Sequence, residues 1–466
     1  MSPLRILMIT AEFAPFAKVG GLGDMTAGLA GYLAAQGHEV MVVLPDYGNA
    51  QGAKPWAIRE ESVDGLQVGR VSAPAHFGDT QIYLGDDRDA ARFVLLARAA
   101  LAHAHDADFV PDVIHVHDWH AAAAVVLPKP WPHAPATLLT IHNIGYQGVF
   151  AADVLAATPF VEAAPLLLDP TTPEPRLNLL AAGIAGARAV TTVSPTHARE
   201  ILTPEYGVGL DALLRDRAAV LHGILNGADY RLWSPERDAL LSAPFSSVQL
   251  QGKHHNREAL LAQLALPLAD DCPLLCMVTR LTEHKGLDLV LDALPGLLAA
   301  HEFGLVVLGQ GDMRYAEGLA SLAAAHPQRM HLSLAHDEGL AHRLLAGSDL
   351  LLMPSRYEPC GLTQLYAMRY GTVPIVRATG GLADSVRHFD AQSGEGTGIV
   401  FRDYDVQGLQ WGVGQALDWF ADRAVWPRLM ANAMAEDFSW QRQGPHYERL
   451  YRQIARNGAG NSARGA

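Results

Sequence analysis

Short runs of aliphatic and β-branched residues alternate along this chain with alanine- and leucine-rich stretches of helical spacing, and this alternation constrains the fold most. Such apolar, strand-length runs are typical of a parallel sheet that is covered on both faces, because each βαβ crossover lays a helix on one face. The alternation occurs in two separate series. The sequence therefore predicts an α/β protein with two doubly wound, Rossmann-like domains.

The two series define the predicted domains. Strands of the first series are predicted at 5–10, 39–44, 113–117, 136–142 and 189–194, with a helix over 26–36. Strands of the second series are predicted at 274–279, 304–308, 330–334, 350–353 and 373–376. Loop-forming residues without periodicity fill 229–253, which indicates a boundary there. We predict an N-terminal domain over 1–240 and a C-terminal domain over 241–440.

Composition excludes several classes of function. The 35 basic and 49 acidic side chains give a net charge of -14, so nucleic acid is not an expected partner and a phosphate ligand needs a local basic pocket. No apolar run approaches the roughly 18 residues that a membrane helix needs, and Glu12 and Pro15 end the apolar opening segment too early for a secretory leader. Three cysteines in 466 residues fit a reducing compartment. We expect a cytoplasmic protein that does not contact a membrane.

Two glycine-rich segments, Gly20 to Asp24 and Gly380 to Asp384, echo each other at an offset of 384 minus 24, or 360 residues. Each follows a strand-like run and precedes a helical one. Paired glycines let backbone amides approach a ligand, and a helix start adds partial positive charge. A tight turn whose aspartate stabilises the helix start is the alternative. Because the motif occurs in both halves, we favour the ligand-binding interpretation.

Arg280 and Lys285 follow the predicted strand 274–279. A guanidinium and an ammonium at the carboxyl end of a strand suit a diphosphate whose charge rises as its bond to a sugar breaks. A solvated basic loop is the alternative.

Another predicted strand, 350–353, leads into a loop with Glu358 and Cys360 and then into a helix. Glu358 can hold sugar hydroxyls, and Gly361 to Thr363 offer backbone amides and a hydroxyl to a phosphate. A merely solvated glutamate is the alternative. A nucleophilic role for Cys360 has weak support, because no histidine accompanies the thiol in this motif.

Histidines gather at the ends of two predicted strands, at His115, His117, His120 and His142. His115 and His117 share one face of a strand, which is compatible with metal ligation, but no HExxH or CxxC element accompanies them. Polar side chains that line a sugar pocket account for them better. We therefore predict no metal site.

Taken in order, these segments resemble the bacterial glycogen synthase and plant starch synthase family. Lys18 to Asp24 is similar to the family's opening K-x-G-G-L-x-D motif. Further matching segments follow in the same order, at His142-Asn143, Asn226-Gly227, Arg280 to Lys285, Pro354 to Gln364 and Thr379 to Asp384. The similarity spans nearly the whole chain.

The resemblance implies a GT-B fold, in which an acceptor-side domain over 1–240 and a nucleotide-sugar-binding domain over 241–440, both Rossmann-like, face each other across a cleft. It also implies a C-terminal segment, 441–466, whose helix crosses back to the first domain. It also implies transfer of glucose from ADP-glucose to the non-reducing end of an α-1,4-glucan such as glycogen, with retention of configuration and without a cofactor. A related transferase that uses UDP-glucose or a small acceptor is the alternative enzyme. A catalytically inactive glucan-binding protein is the alternative from another class.

The resemblance further implies roles for residues at matching positions. Lys18, Arg280 and Lys285 would hold the diphosphate. Asp24, His142 and Glu358 would surround the reacting sugar. The implied catalytic residues are Asp24, His142, Arg280, Lys285 and Glu358, and the implied substrate-binding residues are Lys18, Gly20, Gly21, Asn226, Cys360, Gly361, Leu362, Thr363, Tyr366, Gly380 and Gly381. Among the latter, Cys360 would lie beside the sugar, and Asn226, Thr363 and Tyr366 would contact sugar, phosphate and nucleotide respectively.

Overall fold

The computed structural model describes residues 2–50 and 56–462, with side chains described as far as residue 456. The chain forms two compact units, of which the first holds 1–227 and 440–466 and the second holds 228–439.

The boundary between the units lies before the predicted one at 240. Residues 228–239 belong to the second unit. Trp233 stacks on His342 with ring centroids 3.6 Å apart, and Asp238 accepts a hydrogen bond of 2.5 Å from the Tyr370 hydroxyl. These buried contacts hold a segment that has neither helical nor strand periodicity. The tertiary structure was therefore needed to assign residues 228–239 to the second unit.

The first unit contains an eight-stranded sheet in the order β10-β9-β6-β5-β1-β2-β4-β3 and a separate β7-β8 pair. All neighbours in the large sheet are parallel except β3 and β4. The strands are β1 (Arg5–Ile9), β2 (Glu39–Pro45), β3 (Ala57–Val63), β4 (Leu66–Ser72), β5 (Val113–His117), β6 (Ala136–Ile141), β7 (Val149–Ala151), β8 (Arg176–Asn178), β9 (Ala189–Thr192) and β10 (Leu221–Gly223). The predicted strands are confirmed, whereas β3, β4, β7, β8 and β10 are additional.

Helices cover both faces of this sheet. They are α1 (Gly21–Ala35), α2 (Pro74–Phe77), α3 (Arg88–Asp106), α4 (Asp118–Val126), α5 (Leu179–Gly186), α6 (Pro195–Glu200) and α7 (Asp211–Asp216). Strands β5 and β6 are buried along their whole length, as expected for central parallel strands.

The second unit contains a six-stranded, fully parallel sheet in the order β13-β12-β11-β14-β15-β16. Its strands are β11 (Leu274–Val278), β12 (Gly304–Leu308), β13 (Met330–Ser333), β14 (Leu350–Met353), β15 (Val373–Arg377) and β16 (Ile399–Phe401). Its helices are α8 (Gln251–Leu264), α9 (Leu287–Ala300), α10 (Met313–Ala325), α11 (Glu338–Gly347), α12 (Thr363–Arg369), α13 (Gly380–Ser385), α14 (Val406–Ala421) and α15 (Trp426–Ala435). All five predicted strands are confirmed.

The last helix, α16 (Trp440–Ser462), belongs to the first unit. Tyr447 and Tyr451 on this helix are fully buried in the core of that unit together with Trp440. No helix within the described ranges is both long and apolar enough to cross a membrane.

Each sheet has one point where the strand order reverses. In the first sheet it lies between β1 and β5, and in the second between β11 and β14. Ligands of open α/β sheets bind outside the carboxyl ends of the strands at such a switch point. The loops that follow these four strands, two in each unit, are therefore the candidate ligand-binding regions of their own units.

Candidate active site

The glycine-rich turn of the first unit lies between β1 and α1. Lys18 is in this turn and Asp24 is in the first turn of α1, and Lys18 Nζ lies 2.9 Å from Asp24 Oδ1. Gly20 is the N-cap residue and Gly21 begins the helix. The structure thus joins two predicted site residues in a partly buried ion pair.

Glu12 is not among the predicted site residues, yet its carboxylate holds this turn. Oε2 accepts hydrogen bonds from the backbone amides of Val19 at 2.7 Å and Gly20 at 3.1 Å. Both amides are used within the protein. The prediction concerned the backbone amides from Gly20 to Asp24, and of these the Gly20 amide donates to Glu12 rather than to a ligand. The sequence signal was an acidic residue three positions after an apolar strand.

Asp118 is a second residue that the sequence reasoning missed. It begins α4 directly after β5, with a left-handed φ of 55°. Its Oδ1 accepts hydrogen bonds from the amides of His142 at 2.7 Å and Asn143 at 3.3 Å. Burial raises the pKa of this carboxyl to about 7, although the two amides act in the opposite direction. Asp118 therefore ties the loop after β5 to the loop after β6, in a strained conformation of the kind that clusters at active sites.

His142 follows β6, as predicted. Its Nε2 lies 3.0 Å from Nδ1 of His117, which is buried. Desolvation lowers the pKa of His142 to about 3, so the imidazole is neutral at pH 7. It can hydrogen bond to a hydroxyl there, but it cannot act as a cation.

His115 is a core residue and does not line a sugar pocket, so that prediction is wrong for this histidine. Its Nδ1 lies 2.8 Å from the Tyr451 hydroxyl and its Nε2 lies 2.7 Å from Thr140 Oγ1, which satisfies both ring nitrogens. His120 packs on Trp119 with ring centroids 4.1 Å apart. Within 2–50 and 56–462, no group of three or more histidine, cysteine, aspartate or glutamate side chains is arranged to hold a metal ion.

Asn226 follows β10 and is 4% exposed. Among the described residues, no donor lies within hydrogen-bonding distance of its buried Oδ1. A buried acceptor left unpaired costs about 1–3 kcal/mol, and such a group is commonly satisfied by a water molecule or a ligand. This environment supports the predicted contact with a sugar.

The switch point of the second sheet joins the loops that follow β11 and β14. Lys285 Nζ lies 2.6 Å from Glu358 Oε2, and Ser355 Oγ donates a hydrogen bond of 3.1 Å to the same oxygen. The backbones are also joined, because the Arg356 amide donates to the His284 carbonyl at 3.0 Å. Glu358 is buried and Lys285 is partly buried. The structure thus brings together two residues predicted to be catalytic.

Arg280 lies in the same loop as Lys285, and its side chain is exposed. The pKa of the nearby His284 is lowered to about 4. Burial is the main cause, and the positive charges of Lys285 and Arg280 add to it. The predicted placement of two cations at the carboxyl end of this strand is confirmed. Their action on a diphosphate stays a prediction.

The second glycine pair supports the Glu358 loop. Gly380 has a left-handed φ of 42°, and a Cβ there would lie 2.0 Å from the Glu358 carbonyl oxygen. A Cβ on Gly381 would lie 2.0 Å from the Cys360 carbonyl oxygen, and the Gly381 amide donates to the Glu358 carbonyl at 3.0 Å. These glycines permit close backbone packing, so the ligand-approach interpretation is wrong for the Gly381 amide.

The remaining predicted residues of the second unit surround the start of α12. Gly361 has a φ of 70°, Leu362 is the N-cap residue and Thr363 is the first helical residue. Cys360 is 5% exposed, and its carbonyl accepts a hydrogen bond of 3.0 Å from Gln364 Nε2. The thiol therefore sits in a tightly held loop.

Tyr366 is predicted to contact the nucleotide, and it lies on α12. Its residue exposure is 5%, and its ring stacks on Trp233 at 4.2 Å with an interplanar angle of 2°. One face of the ring is thus covered within the second unit, and any nucleotide contact would have to use the rest of the side chain.

Comparisons with known proteins identify the family of this chain. The sequence profile of the starch synthase catalytic domain matches residues 5–216, and that of glycosyl transferases group 1 matches residues 263–424. A glycogen synthase from Anaeromyxobacter dehalogenans (strain 2CP-C) is 45% identical, over 97% of this chain and 100% of that protein. The chain belongs to the glycogen synthase family. A glycogen synthase from Paramagnetospirillum magneticum (strain ATCC 700264 / AMB-1) is 39% identical over 99% of this chain and 100% of that protein.

A solved structure extends the comparison to the fold. The catalytic domain of starch synthase IV from Arabidopsis thaliana, bound to ADP and acarbose, is 34% identical with a TM-score of 0.89, over 97% of this chain and 100% of that chain. The chain is therefore a glycosyltransferase with the GT-B fold, as the sequence predicts.

Proposed function

We propose that this glycogen synthase family member transfers glucose from ADP-glucose to the 4-hydroxyl at the non-reducing end of an α-1,4-glucan, with retention of configuration. The observation that carries the proposal is the Lys285–Glu358 ion pair beside Arg280, at the carboxyl end of β11 and β14. A cation pair and a carboxylate at a switch point suit a nucleotide sugar, which carries a diphosphate and hydroxyl groups.

In the proposed reaction, the bond between the glucosyl C1 and the phosphate oxygen breaks as the bond from C1 to the acceptor O4 forms. Positive charge develops on the sugar ring and negative charge develops on the departing ADP. Arg280 and Lys285 stabilise the diphosphate and Glu358 orients the sugar, while Lys18, Asp24 and neutral His142 keep the roles that the family resemblance implies. The acceptor proton passes to a phosphate oxygen on the same face of the sugar, which accounts for retention without a covalent enzyme intermediate.

The test is incubation of the purified chain with ADP-glucose and glycogen while ADP release is followed. The donor carries labelled glucose. NMR of the intact product reads the anomeric configuration, and the product is then digested with an α-1,4-specific amylase. We expect ADP release that requires glycogen and complete release of the labelled glucose by the amylase.

Two outcomes would replace the proposal. Faster turnover with UDP-glucose, or with a small sugar acceptor, would identify a related retaining transferase. Glycogen binding without turnover of either donor would identify a glucan-binding protein.

We also propose a cytoplasmic location, where glucan and nucleotide sugar would meet in a reducing compartment.

A further inference from the structure

Glu12 engages both oxygens of its carboxylate, and one of them holds the glycine-rich turn. The residue is 3% exposed and follows β1 at the switch point of the first sheet. While Oε2 accepts from the amides of Val19 and Gly20, Oε1 accepts from the Tyr83 hydroxyl. A carboxylate that accepts from backbone amides at a helix start forms charge-assisted bonds, which are about twice as strong as neutral ones.

The backbone of Glu12 is itself anchored from two sides. Its carbonyl oxygen accepts hydrogen bonds from Thr10 Oγ1 at 2.8 Å and from Thr26 Oγ1 at 2.9 Å. Thr10 directly follows β1, and Thr26 lies in α1. The carboxylate therefore projects from a fixed point between the sheet and the helix.

The turn that Glu12 holds has little packing of its own. Val19 is 50% exposed, Gly20 and Gly21 are exposed, and no atom lies within 4 Å of a Cβ placed on Gly20. Gly20 is the N-cap of α1 and has no side chain with which to cap the helix. The hydrogen bonds that Val19 and Gly20 donate to Glu12, rather than burial, hold this exposed part of the turn.

The turn carries Lys18, whose Nζ is already directed by Asp24 at 2.9 Å. Because Val19 is the next residue, fixing its amide also fixes the Lys18 main chain. We infer that Glu12 is a positioning residue for glucosyl transfer, which sets Lys18 and the start of α1 for the nucleotide-sugar donor without touching that donor. This inference rests on the proposed function.

The test compares Glu12→Ala with Glu12→Gln. The alanine variant leaves two amides without their acceptor, whereas glutamine keeps one oxygen that can accept from them. We expect Glu12→Ala to lower kcat/KM for ADP-glucose about 10- to 100-fold, where each tenfold corresponds to about 1.4 kcal/mol of activation free energy. KM for glycogen should stay within about twofold of the wild-type value. Glu12→Gln should recover most of that loss. Amide hydrogen exchange at Val19 and Gly20 should be faster in the alanine variant only.

Asn256→Ala is the matched control. Asn256 is also 3% exposed, and its Oδ1 also accepts from two consecutive loop amides, those of Ser242 at 2.9 Å and Ala243 at 3.2 Å. This variant should lose stability but keep kcat/KM for ADP-glucose. Equal losses of kcat/KM in the two alanine variants, or an unchanged value in Glu12→Ala, would overturn the inference.

The binding of ADP, measured by calorimetry, separates this inference from the proposed function. If the wild type binds ADP but transfers no glucose, the proposed function fails, and weaker ADP binding by Glu12→Ala still supports the positioning role. An active wild type with an unaffected Glu12→Ala overturns the positioning role alone. A wild type that neither binds ADP nor transfers glucose overturns both. If Glu12→Ala does not fold, Glu12→Gln alone tests the inference. The inference would be contradicted if hydrogen exchange at Val19 and Gly20 were unchanged in Glu12→Gln while its kcat/KM fell below that of Asn256→Ala.

Discussion

Lys285 Nζ lies 2.6 Å from Glu358 Oε2, so the ammonium already has a counterion before any phosphate is present. The side chains of Lys285 and Glu358 are 17% and 7% exposed. A diphosphate that binds there has to share Lys285 with the carboxylate. Arg280, in contrast, is exposed. The two cations of this loop are therefore expected to respond differently to mutation.

Arg280→Ala should lose activity without losing stability. A hydrogen bond to a charged group contributes about 1.5–3 kcal/mol, so kcat/KM for ADP-glucose should fall roughly 10- to 100-fold. The melting temperature should not change, because the side chain is exposed. Arg423→Ala, at another exposed arginine of the second unit, is the control and should behave as wild type. Turnover by Arg280→Ala at the wild-type level would remove Arg280 from the site.

Lys285→Met should lose both activity and stability. It leaves the buried Glu358 carboxylate without its ammonium partner, which costs about 1–3 kcal/mol of unfolding free energy. The double variant Lys285→Met/Glu358→Gln should regain part of this stability and remain inactive. Urea unfolding of the two single variants and the double variant measures the coupling. Strictly additive losses would show that the pair does not contribute to the folded state.

The three thiols should react with an alkylating reagent at very different rates. Cys272 is partly exposed, Cys360 is buried, and burial raises the pKa of the fully buried Cys276 to about 12. Because the thiolate is the reactive form, we expect Cys272 to be labelled first without loss of activity and Cys276 last. Slow labelling of Cys360 should block activity by obstruction, whereas Cys360→Ser should retain much of it. Peptide mapping against residual activity checks this order, and an inactive but folded Cys360→Ser variant would point to a direct role of the thiol.

Asp118 should make stability fall as the pH rises. Its pKa is about 7 in the folded protein, against about 4 in an unfolded chain, so the protonated form favours folding. This contribution is complete below about pH 4 and is lost as the pH passes 7. Asp118→Asn keeps an oxygen for the two amides but does not titrate. Its unfolding free energy relative to wild type should rise between pH 5 and pH 8, by at most about 1.4 kcal/mol per pH unit. If the unfolding free energies of wild type and Asp118→Asn changed in parallel with pH, the raised pKa of Asp118 would be contradicted.

Transfer should not depend on a divalent ion. The switch point of the second unit presents Arg280 and Lys285, and protein cations can neutralise a diphosphate in place of Mg²⁺. Turnover after exhaustive chelation should equal that of the untreated enzyme. Lost turnover that magnesium or manganese restores would require a metal in the mechanism.

Local pattern was enough to predict the central strands of both sheets. Strand β14 is apolar over its whole length, and that property is visible in any short window. Strand β3 was missed because its residues alternate between exposed and partly buried at the sheet edge, where it pairs antiparallel with β4. The Asp64-Gly65 turn that joins them, with φ values of 50° and 81°, was the available signal.

The α/β class, the two series of strands, and the loops in which Lys285, Glu358 and His142 lie can all be read from the sequence, because hydrophobic periodicity and motif order are local properties. How the buried polar groups are used depends on the folded chain. His115 is satisfied by Tyr451, which lies 336 positions away, and Glu12 is paired with Tyr83 at a separation of 71. The partner of a buried polar atom depends on which distant segments the fold brings within about 3 Å, and no local pattern encodes that distance.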